Sequence, residues 1–240
     1  MLVLDFDGVI ADAFDECALV AWRGVRPNER GTAASLPDAA FIERFRVLRP
    51  YCRTLDHFIM AHVPGSETVT HQAEFDRRFA RIGRGRAAAF AERATAARHG
   101  LRERDPAAWA AMHTLYPGVG DLIRGSGAPV VIVTAKDEPS VRAVLAAHGL
   151  EAAVGSVSGE CHDKAREVER LCAEAGLEAS AAVFVDDNLD NVLRVRATGA
   201  RSLWADWGYS TADQRERAEA LGVEVLGLAD LAGLAAAPQV

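Results

Sequence analysis

The chain has 240 residues, half of them hydrophobic and a quarter charged, with a formal net charge of -7 and a sequence pI near 5.5. These values are ordinary for a folded globular protein with one large domain, or with a core and a smaller second domain. The acidic balance argues against a general nucleic-acid-binding protein, which needs basic surface to contact phosphates.

The N-terminus and the cysteines bear on location. The first residues enter an apolar run without the basic segment and long apolar stretch of a secretory signal. No stretch approaches the roughly 20 apolar residues of a membrane span. The four cysteines have neither metal-ligand spacing nor the pattern of a disulfide framework. We therefore expect a cytoplasmic protein with free thiols and no membrane partner.

Short apolar runs that end in polar or acidic residues recur along the chain. They cover residues 2–4, 130–133 and 182–185, with further short runs at 202–204 and 223–226. Runs of this kind are typical of strands buried between two layers of helices.

Helical patterns separate these runs. Residues 141–148 and 165–175 carry apolar side chains at helical spacing, and each segment ends at a glycine, the usual helix C-cap. Alternating strands and helices predict an α/β fold with a doubly wound parallel sheet.

The interval between Asp12 and Tyr116 departs from this alternation and shows no buried-strand pattern. The helices predicted there cover residues 14–22, 41–48, 55–61, 75–82, 87–99 and 107–115. We therefore predict a core of residues 1–12 and 116–240, with an all-α cap inserted at residues 13–115. An insertion after a strand leaves the sheet at its carboxyl edge, where open α/β sheets bind ligands.

Asp5-Phe6-Asp7-Gly8 stands at the end of the first predicted strand. Two carboxylates two residues apart on an extended chain point to opposite faces, but a bend at Gly8 can turn both toward one site. One of them can attack phosphorus, and the other can protonate the leaving oxygen and then activate water. The alternative is a polar strand end with a turn glycine.

A second acidic group, Asp186-Asp187-Asn188-Leu189-Asp190-Asn191, follows another predicted strand. Mg²⁺ prefers hard oxygen ligands, and we predict that Asp5, Asp7 and one of Asp186 and Asp187 hold it. The cation would also offset the repulsion between a carboxylate nucleophile and a phosphate. The alternative is an Asx-rich turn followed by a helix N-cap.

Two further segments carry groups that suit phosphate. Thr134 follows a strand, and its hydroxyl can hold a phosphate oxygen together with the backbone N–H groups that follow, such as that of Ala135. Lys164 begins a helix and suits point-charge contact with a nucleophilic carboxylate and a phosphate. Lys136, the only other lysine in the chain, is a weaker candidate. The alternatives are a turn threonine and solvated lysines.

Two groups of arginines lie within the predicted cap. One is a local run made of Arg77, Arg78, Arg81, Arg84 and Arg86. We interpret this run as a solvated face, with an anion-attracting surface as the alternative. The other group is Arg44, Arg46, Arg49 and Arg53. We expect at least one member of this second group to pair with a substrate anion.

Taken in order, the strand-end segments resemble the four motifs of the haloacid dehalogenase superfamily of hydrolases. Residues 5–9 resemble the first motif, Thr134 the second, Lys164 the third, and residues 185–187 with Asn191 the fourth. The insertion stands where that family places its helical type 1 cap. Residues 116–119 and 207–209 are similar to segments of the phosphoglycolate-phosphatase-like branch.

The resemblance implies roles for these residues. Asp5 would be the nucleophile and Asp7 the general acid and base, while Thr134 and Lys164 would bind the phosphoryl group. Mg²⁺ would be held by Asp5, the main-chain carbonyl of Asp7 and an acid of the fourth motif.

The fourth motif leaves the choice of metal ligand open. We favour Asp187 as the direct ligand, with Asp186 assisting, and an alternative register pairs Asp186 with Asp190. The presence of Asp7 favours phosphate chemistry, because members that cleave carbon–halogen bonds need no leaving-group acid and lack it.

We therefore expect a Mg²⁺-dependent phosphatase that hydrolyses a small phosphorylated metabolite through an aspartyl-phosphate. A phosphosugar mutase with the same core is one alternative, since it would differ in keeping water out. A non-catalytic binding protein with this fold is another, which the loss of a motif acid would favour.

Overall fold

The computed structural model describes residues 1–26 and 37–236. The chain forms two compact units, Met1–Asp12 with Thr114–Val240, and Ala13–His113. We call the first unit the core and the second the cap. The second boundary falls after residue 113, whereas the sequence predicted it after residue 115.

The strands of both sheets lie in the core. They are β1 (Leu2–Leu4), β2 (Ala11–Asp12), β3 (Thr114–Leu115), β4 (Val130–Val133), β5 (Ser156–Ser158), β6 (Val183–Asp186), β7 (Arg201–Ala205) and β8 (Glu224–Leu226). Strands β5-β4-β1-β6-β7-β8 form one parallel sheet in that order. Strands β2 and β3 form a separate antiparallel pair. In chain order, β4 and β5 join the sheet on one side of β1, and β6, β7 and β8 then join it on the other side. Ligands of open α/β sheets bind at the carboxyl ends beside such a reversal.

The helices of the cap are α1 (Phe14–Arg23), α2 (Ala39–Leu48), α3 (Gln72–Ala80), α4 (Arg84–Arg104) and α5 (Pro106–Ala110). Those of the core are α6 (Val119–Gly125), α7 (Glu138–Ala147), α8 (Lys164–Glu174), α9 (Leu189–Arg196), α10 (Ala212–Ala220) and α11 (Leu231–Ala236).

The parallel sheet is buried on both faces. On one face, Val3 of β1 and Phe184 of β6 belong to a hydrophobic cluster with Val168 of α8 and Val192 of α9. On the other face, Leu4 of β1 lies close to α6 and α11. The buried strands carry apolar side chains toward both helical layers, as such strands require. The predicted doubly wound α/β core is confirmed.

Three core helices begin at Asx caps, and two of these caps stand just after a strand of the parallel sheet. Asp137 accepts a hydrogen bond from the N–H of Ser140 at 3.0 Å, Asp163 from Arg166 at 3.2 Å, and Asn188 from Asn191 at 3.2 Å. Such caps satisfy backbone donors that the first helical turn leaves unpaired. They fix the points at which α7, α8 and α9 begin.

Two strands differ from the sequence prediction. Strand β5 was not predicted, because Ser156-Val157-Ser158 has a single buried apolar residue and forms the edge of the sheet. Residues 107–115 were predicted as one helix, but α5 ends at Ala110, and Thr114–Leu115 pair with Ala11–Asp12. This pairing joins segments that are distant in sequence, so local helix propensity could not indicate it.

The cap has a core rich in aromatic side chains. Phe45 packs against Phe58 with ring centroids 5.1 Å apart, and Trp22 packs against Phe41 at 4.9 Å. Residues 55–62, of which 55–61 were predicted as an α-helix, form a 3₁₀-helix instead. The short i to i+3 repeat of such a helix suits a connector between packed elements.

Two arginines of the predicted substrate-binding group form ion pairs. Within the cap, Arg44 pairs with Glu67 at 3.3 Å and Arg53 with Asp76 at 2.6 Å. The expectation that one arginine of this group contacts a substrate anion stays a prediction.

All four cysteines are free. Across residues 1–26 and 37–236, no helix combines the length and apolar character that crossing a membrane requires.

One ion pair is buried inside the cap, and it yields a stability prediction. Arg98 Nε lies 2.7 Å from Glu16 Oε1, and the two side chains are 6% and 0% exposed. Removing the cation from a buried pair leaves a desolvated carboxylate. We expect Arg98→Met to lower the free energy of unfolding by about 3 kcal/mol, measured by urea denaturation.

Arg84→Met, at the exposed start of the same helix, is the matched control and should change stability by less than about 0.5 kcal/mol. Equal effects of the two substitutions would contradict a stabilising role for the buried pair.

Candidate active site

The strand register brings four sequence segments to one edge of the parallel sheet. Leu4 of β1 pairs with Ile132 of β4 on one side and with Val185 of β6 on the other. Asp5 and Thr134 directly follow β1 and β4, and Asp186 is the last residue of β6, so all three lie at the carboxyl ends of neighbouring strands. The fourth segment begins with Lys164, the first residue of α8.

Lys164 lies between two aspartates. Its ammonium nitrogen is 2.8 Å from Asp5 Oδ1 and 2.8 Å from Asp186 Oδ2. All three residues are buried, with exposures of 6%, 8% and 0%. A single cation thus compensates two carboxylates that are removed from water.

The shared cation shifts the titration of its neighbours. Burial lowers the pKa of Lys164, but the carboxylates of Asp186 and Asp5 outweigh that effect and raise the pKa above its ordinary value. Burial raises the pKa of Asp186 to about 6, with Lys164 opposing the shift and Asp5 adding to it. Lys164 is therefore charged at neutral pH.

Asp186 and Asp187 differ in their contacts. Asp186 Oδ2 accepts from Lys164 and from the Asn191 side-chain amide at 3.1 Å, and its Oδ1 accepts from the N–H of Asn188 at 2.7 Å. Asp187 Oδ2 accepts from the backbone N–H of Tyr209 at 2.7 Å. Both carboxylate oxygens of Asp186 therefore accept hydrogen bonds from neighbouring groups.

Two glycines let the backbone approach Asp187 closely. A Cβ at Gly8 would lie 2.0 Å from Asp187 Oδ2. Gly8 also has a φ of +91°, a backbone conformation that residues with a side chain rarely adopt. A Cβ at Gly208 would lie 2.5 Å from Asp187 Cβ and 2.3 Å from the carbonyl oxygen of Gly8. The Gly8 turn and the loop at 207–209 therefore enclose this carboxylate.

The loop at 207–209 makes further contacts within the core. The Trp207 indole N–H donates to the carbonyl of Val9 at 3.2 Å, and the Tyr209 hydroxyl donates to Asp12 at 2.8 Å. Sequence reasoning noted the similarity of this segment to relatives but assigned it no role at the site. Only its spatial approach to Asp187 and to the Gly8 turn indicates one.

Asp7 is paired with the second lysine. Lys136 Nζ lies 3.2 Å from both carboxylate oxygens of Asp7, and the lysine side chain is only 1% exposed. The sequence included Lys136 as a weaker candidate and did not predict this partner. The side chain of Asp7 is 15% exposed and that of Asp5 is 12% exposed, so the two first-motif carboxylates are similarly accessible.

The turn after β4 presents a hydroxyl and a backbone donor. Thr134 is buried, and its Oγ1 accepts from the N–H of Lys136 at 3.3 Å. The segment after β5 holds this turn in place, because Cys161 N–H donates to Thr134 O at 2.9 Å and Glu160 N–H to Lys136 O at 3.0 Å. The Ala135 N–H has no hydrogen-bond partner in the described part of the chain.

The remaining fourth-motif candidates separate. Asn191 joins the site through Asp186, whereas Asp190 faces α10 and pairs with Arg217 at 3.0 Å. The alternative register that pairs Asp186 with Asp190 therefore gains no support from the geometry.

The donor set suits a hard divalent cation. Asp5, Asp186 and Asp187 each offer a carboxylate oxygen, and these oxygens lie within 4.8 Å of one another. Three buried carboxylates with oxygen-only chemistry fit Mg²⁺, which takes few protein ligands and keeps several waters. Both oxygens of Asp186 already accept hydrogen bonds, and the assignment of Asp5 and Asp187 as the direct ligands stays a prediction.

Comparison with known proteins gives one family. Residues 1–197 match the model for a hydrolase family described as haloacid dehalogenase-like hydrolase. A search of curated proteins finds no match.

Several solved structures share the fold. A predicted phosphoglycolate phosphatase from Haemophilus somnus is 16% identical with a TM-score of 0.64, covering 98% of this chain and 96% of its own. A haloacid dehalogenase-like family protein from Streptococcus pneumoniae is also 16% identical, with a TM-score of 0.60 and the same coverages of 98% and 96%. A subfamily IA hydrolase from Geobacter sulfurreducens is 16% identical with a TM-score of 0.51, covering 92% and 95%. At this identity the likeness shows the fold.

The close approach at Gly208 makes a testable prediction. A methyl group there would overlap Asp187 and the Gly8 carbonyl, so Gly208→Ala must displace the carboxylate. We expect at least a tenfold loss of Mg²⁺ affinity, the scale seen when groups that orient metal ligands are removed. Isothermal titration calorimetry measures it.

Gly125→Ala is the matched control, because a Cβ at Gly125 meets nothing within 4 Å. Unchanged Mg²⁺ affinity in Gly208→Ala would show that the loop does not position a metal ligand.

Proposed function

The chain belongs to the haloacid dehalogenase-like hydrolase family, and we propose that it is a Mg²⁺-dependent phosphatase acting on a small phosphomonoester through an aspartyl-phosphate. The observation that carries this proposal is the contact of Lys164 with both Asp5 and Asp186 at 2.8 Å. That contact holds the proposed carboxylate nucleophile and a cation together at one sheet edge, next to Asp187, the acid that we propose binds the metal.

Asp5 is the proposed nucleophile. Its Oδ1 is held by Lys164 and by the N–H of Phe6 at 2.7 Å, which fixes the plane of the carboxylate. In the first step a carboxylate oxygen of Asp5 attacks phosphorus, and the bond from phosphorus to the ester oxygen breaks. The phosphoryl group is then bonded to Asp5, and the alcohol departs.

Asp7 is the proposed proton carrier. It delivers a proton to the departing ester oxygen in the first step. In the second step it takes a proton from the water that attacks phosphorus, and the bond to Asp5 breaks to release inorganic phosphate. Lys136, in contact with both oxygens of Asp7, holds that carboxylate in position.

The phosphoryl oxygens need donors that are already oriented. Lys164 offers a charge, Thr134 a hydroxyl, and Ala135 a backbone N–H, all on segments that the sheet positions. Such preorganised donors stabilise the charge of the transferring group without rearrangement during the reaction.

Asp5, Asp187 and the main-chain carbonyl of Asp7 are the groups that would hold Mg²⁺. When bound there, the ion supplies positive charge that reduces the repulsion between a carboxylate and a phosphate dianion. Asp186 assists by orienting Lys164.

All the acids that this chemistry needs are present, which favours an enzyme over a non-catalytic binding protein. The phosphoglycolate phosphatase description of one structural neighbour supports a small phosphorylated metabolite as the substrate. The free cysteines favour a reducing compartment, so we propose a cytoplasmic location.

Hydrolysis of p-nitrophenyl phosphate tests the proposal. We expect phosphate release that depends on Mg²⁺, and a loss of at least about a thousandfold in kcat for Asp5→Asn, because an amide cannot act as the nucleophile. Brief reaction of the wild-type enzyme, acid quenching and peptide mass spectrometry should locate a phosphoryl group on Asp5.

Asp190→Asn is the matched control, since Asp190 is a nearby acid paired with Arg217. Its activity should stay within about twofold of wild type, as expected for a carboxylate whose ion pair is with Arg217 of α10. Full activity in Asp5→Asn would exclude the mechanism.

The contact between Lys136 and Asp7 predicts a dependence on the leaving group. An alkyl phosphate needs protonation of its departing oxygen, whereas p-nitrophenolate leaves without it. Lys136→Met should therefore lower kcat for an alkyl phosphate roughly tenfold more than for p-nitrophenyl phosphate, within the range of general-acid effects. Equal losses on both substrates would contradict a role for Lys136 in positioning the acid.

A further inference from the structure

A cavity of about 770 Å³ lies within the cap, and the described residues that line it all belong to the cap. This volume is in the range of small-molecule sites. Its wall includes four arginines, namely Arg78, Arg81, Arg86 and Arg93, and apolar side chains that include Ile59, Val63 and Ile82. No acidic residue is among the described residues that line it.

The cavity separates the basic run noted in the sequence into two sets. Arg78, Arg81 and Arg86 line it, whereas Arg77 and Arg84 do not. Arg81 and Arg86 are exposed, as the sequence predicted for this run, but unlike Arg77 and Arg84 they line the cavity. The run therefore includes arginines that share one concave surface with apolar side chains.

The charge of this surface is only partly compensated. Arg78 pairs with Glu74 at 2.5 Å. Arg93 Nε donates to the neutral carbonyl of Gly24 at 2.7 Å, which leaves its charge in place. Within residues 1–26 and 37–236, the guanidinium groups of Arg81 and Arg86 have no hydrogen-bond or ion-pair partner.

The start of α4 adds to the same positive potential. Gly83 precedes this helix without a side-chain cap, and no acidic residue occupies its first turn. The N-terminus of a helix carries partial positive charge, so the start of α4 adds to the attraction that the arginines exert on an anion.

His62, which also lines the cavity, adds no charge. Its Nε2 lies 2.8 Å from the carbonyl oxygen of Ala21, and burial lowers its pKa. The ring is therefore a neutral wall of the cavity at pH 7, and the positive charge comes from the arginines.

The strand-end residues that we assign to catalysis do not line this cavity, because every described lining residue belongs to the cap. We therefore treat the cavity separately from those residues.

We propose that this cavity is a second binding site, which takes an organic anion with an apolar body. The acidic group of the ligand contacts Arg81 and Arg86, and its apolar part packs on Ile59 and Ile82. This site is independent of the proposed phosphatase activity.

Calorimetric titration of the intact protein with naphthalene-2-sulfonate tests this proposal. We expect one molecule to bind per chain, and affinity to fall at least tenfold in Arg81→Ala/Arg86→Ala. Arg77→Ala/Arg84→Ala removes the same charge from the same stretch outside the cavity and should leave affinity within twofold of wild type. Circular dichroism confirms that both double variants are folded.

A second probe separates the apolar and charged contributions. Methanesulfonate carries the same acidic group without the aromatic body and should bind at least tenfold more weakly than naphthalene-2-sulfonate. Equal losses in the two double variants would reduce the effect to general charge attraction and overturn the proposal. So would several molecules bound per chain, or unchanged affinity in Arg81→Ala/Arg86→Ala.

Discussion

The arrangement of the core depends on one buried cation that lies between two buried carboxylates. Lys164 contacts Asp5 and Asp186 at 2.8 Å each. Without it, two desolvated acids at neighbouring strand ends would repel each other, and burial already raises the pKa of Asp186 to about 6. Each charge is tolerated inside the protein because the others are present, so the three positions are fixed together. The nucleophile that we propose owes its orientation to this balance.

The topology of the sheet explains why these groups meet. Strand β1 lies between β4 and β6, so the segments after all three strands reach one edge. The cap, inserted between β2 and β3, separates Asp5 from Thr134 in sequence without separating β1 from β4 in the sheet. Close packing then refines the site, because Gly8 and Gly208 let two backbone turns enclose Asp187. The strand order therefore determines which residues come together, and the two glycines allow the backbone to approach Asp187 closely.

Much of this was predictable, because strands buried on both faces leave an unambiguous apolar pattern and their ends carried the acids. The sequence identified Asp5, Lys164 and the acidic pair of the fourth motif as candidates. It did not predict strand β5, because this edge strand has two serines and only one apolar residue. It also did not predict the pairing of β2 with β3, which depends on contacts between segments that are distant in sequence. The contact of Lys136 with Asp7 could not be predicted either, because spacing along a chain does not indicate which buried charged groups become partners.

The central claim is that Asp5 and Asp187 share one divalent cation beside the nucleophile, with Asp186 reserved for Lys164. Crystals grown with Mn²⁺ in place of Mg²⁺ test it directly, because anomalous scattering at the manganese edge locates the ion without ambiguity. The account predicts one peak within coordination distance of the carboxylates of Asp5 and Asp187 and of the main-chain carbonyl of Asp7. A peak bound to Asp186 with Lys164 displaced, or Mn²⁺ bound away from Asp5, would contradict it.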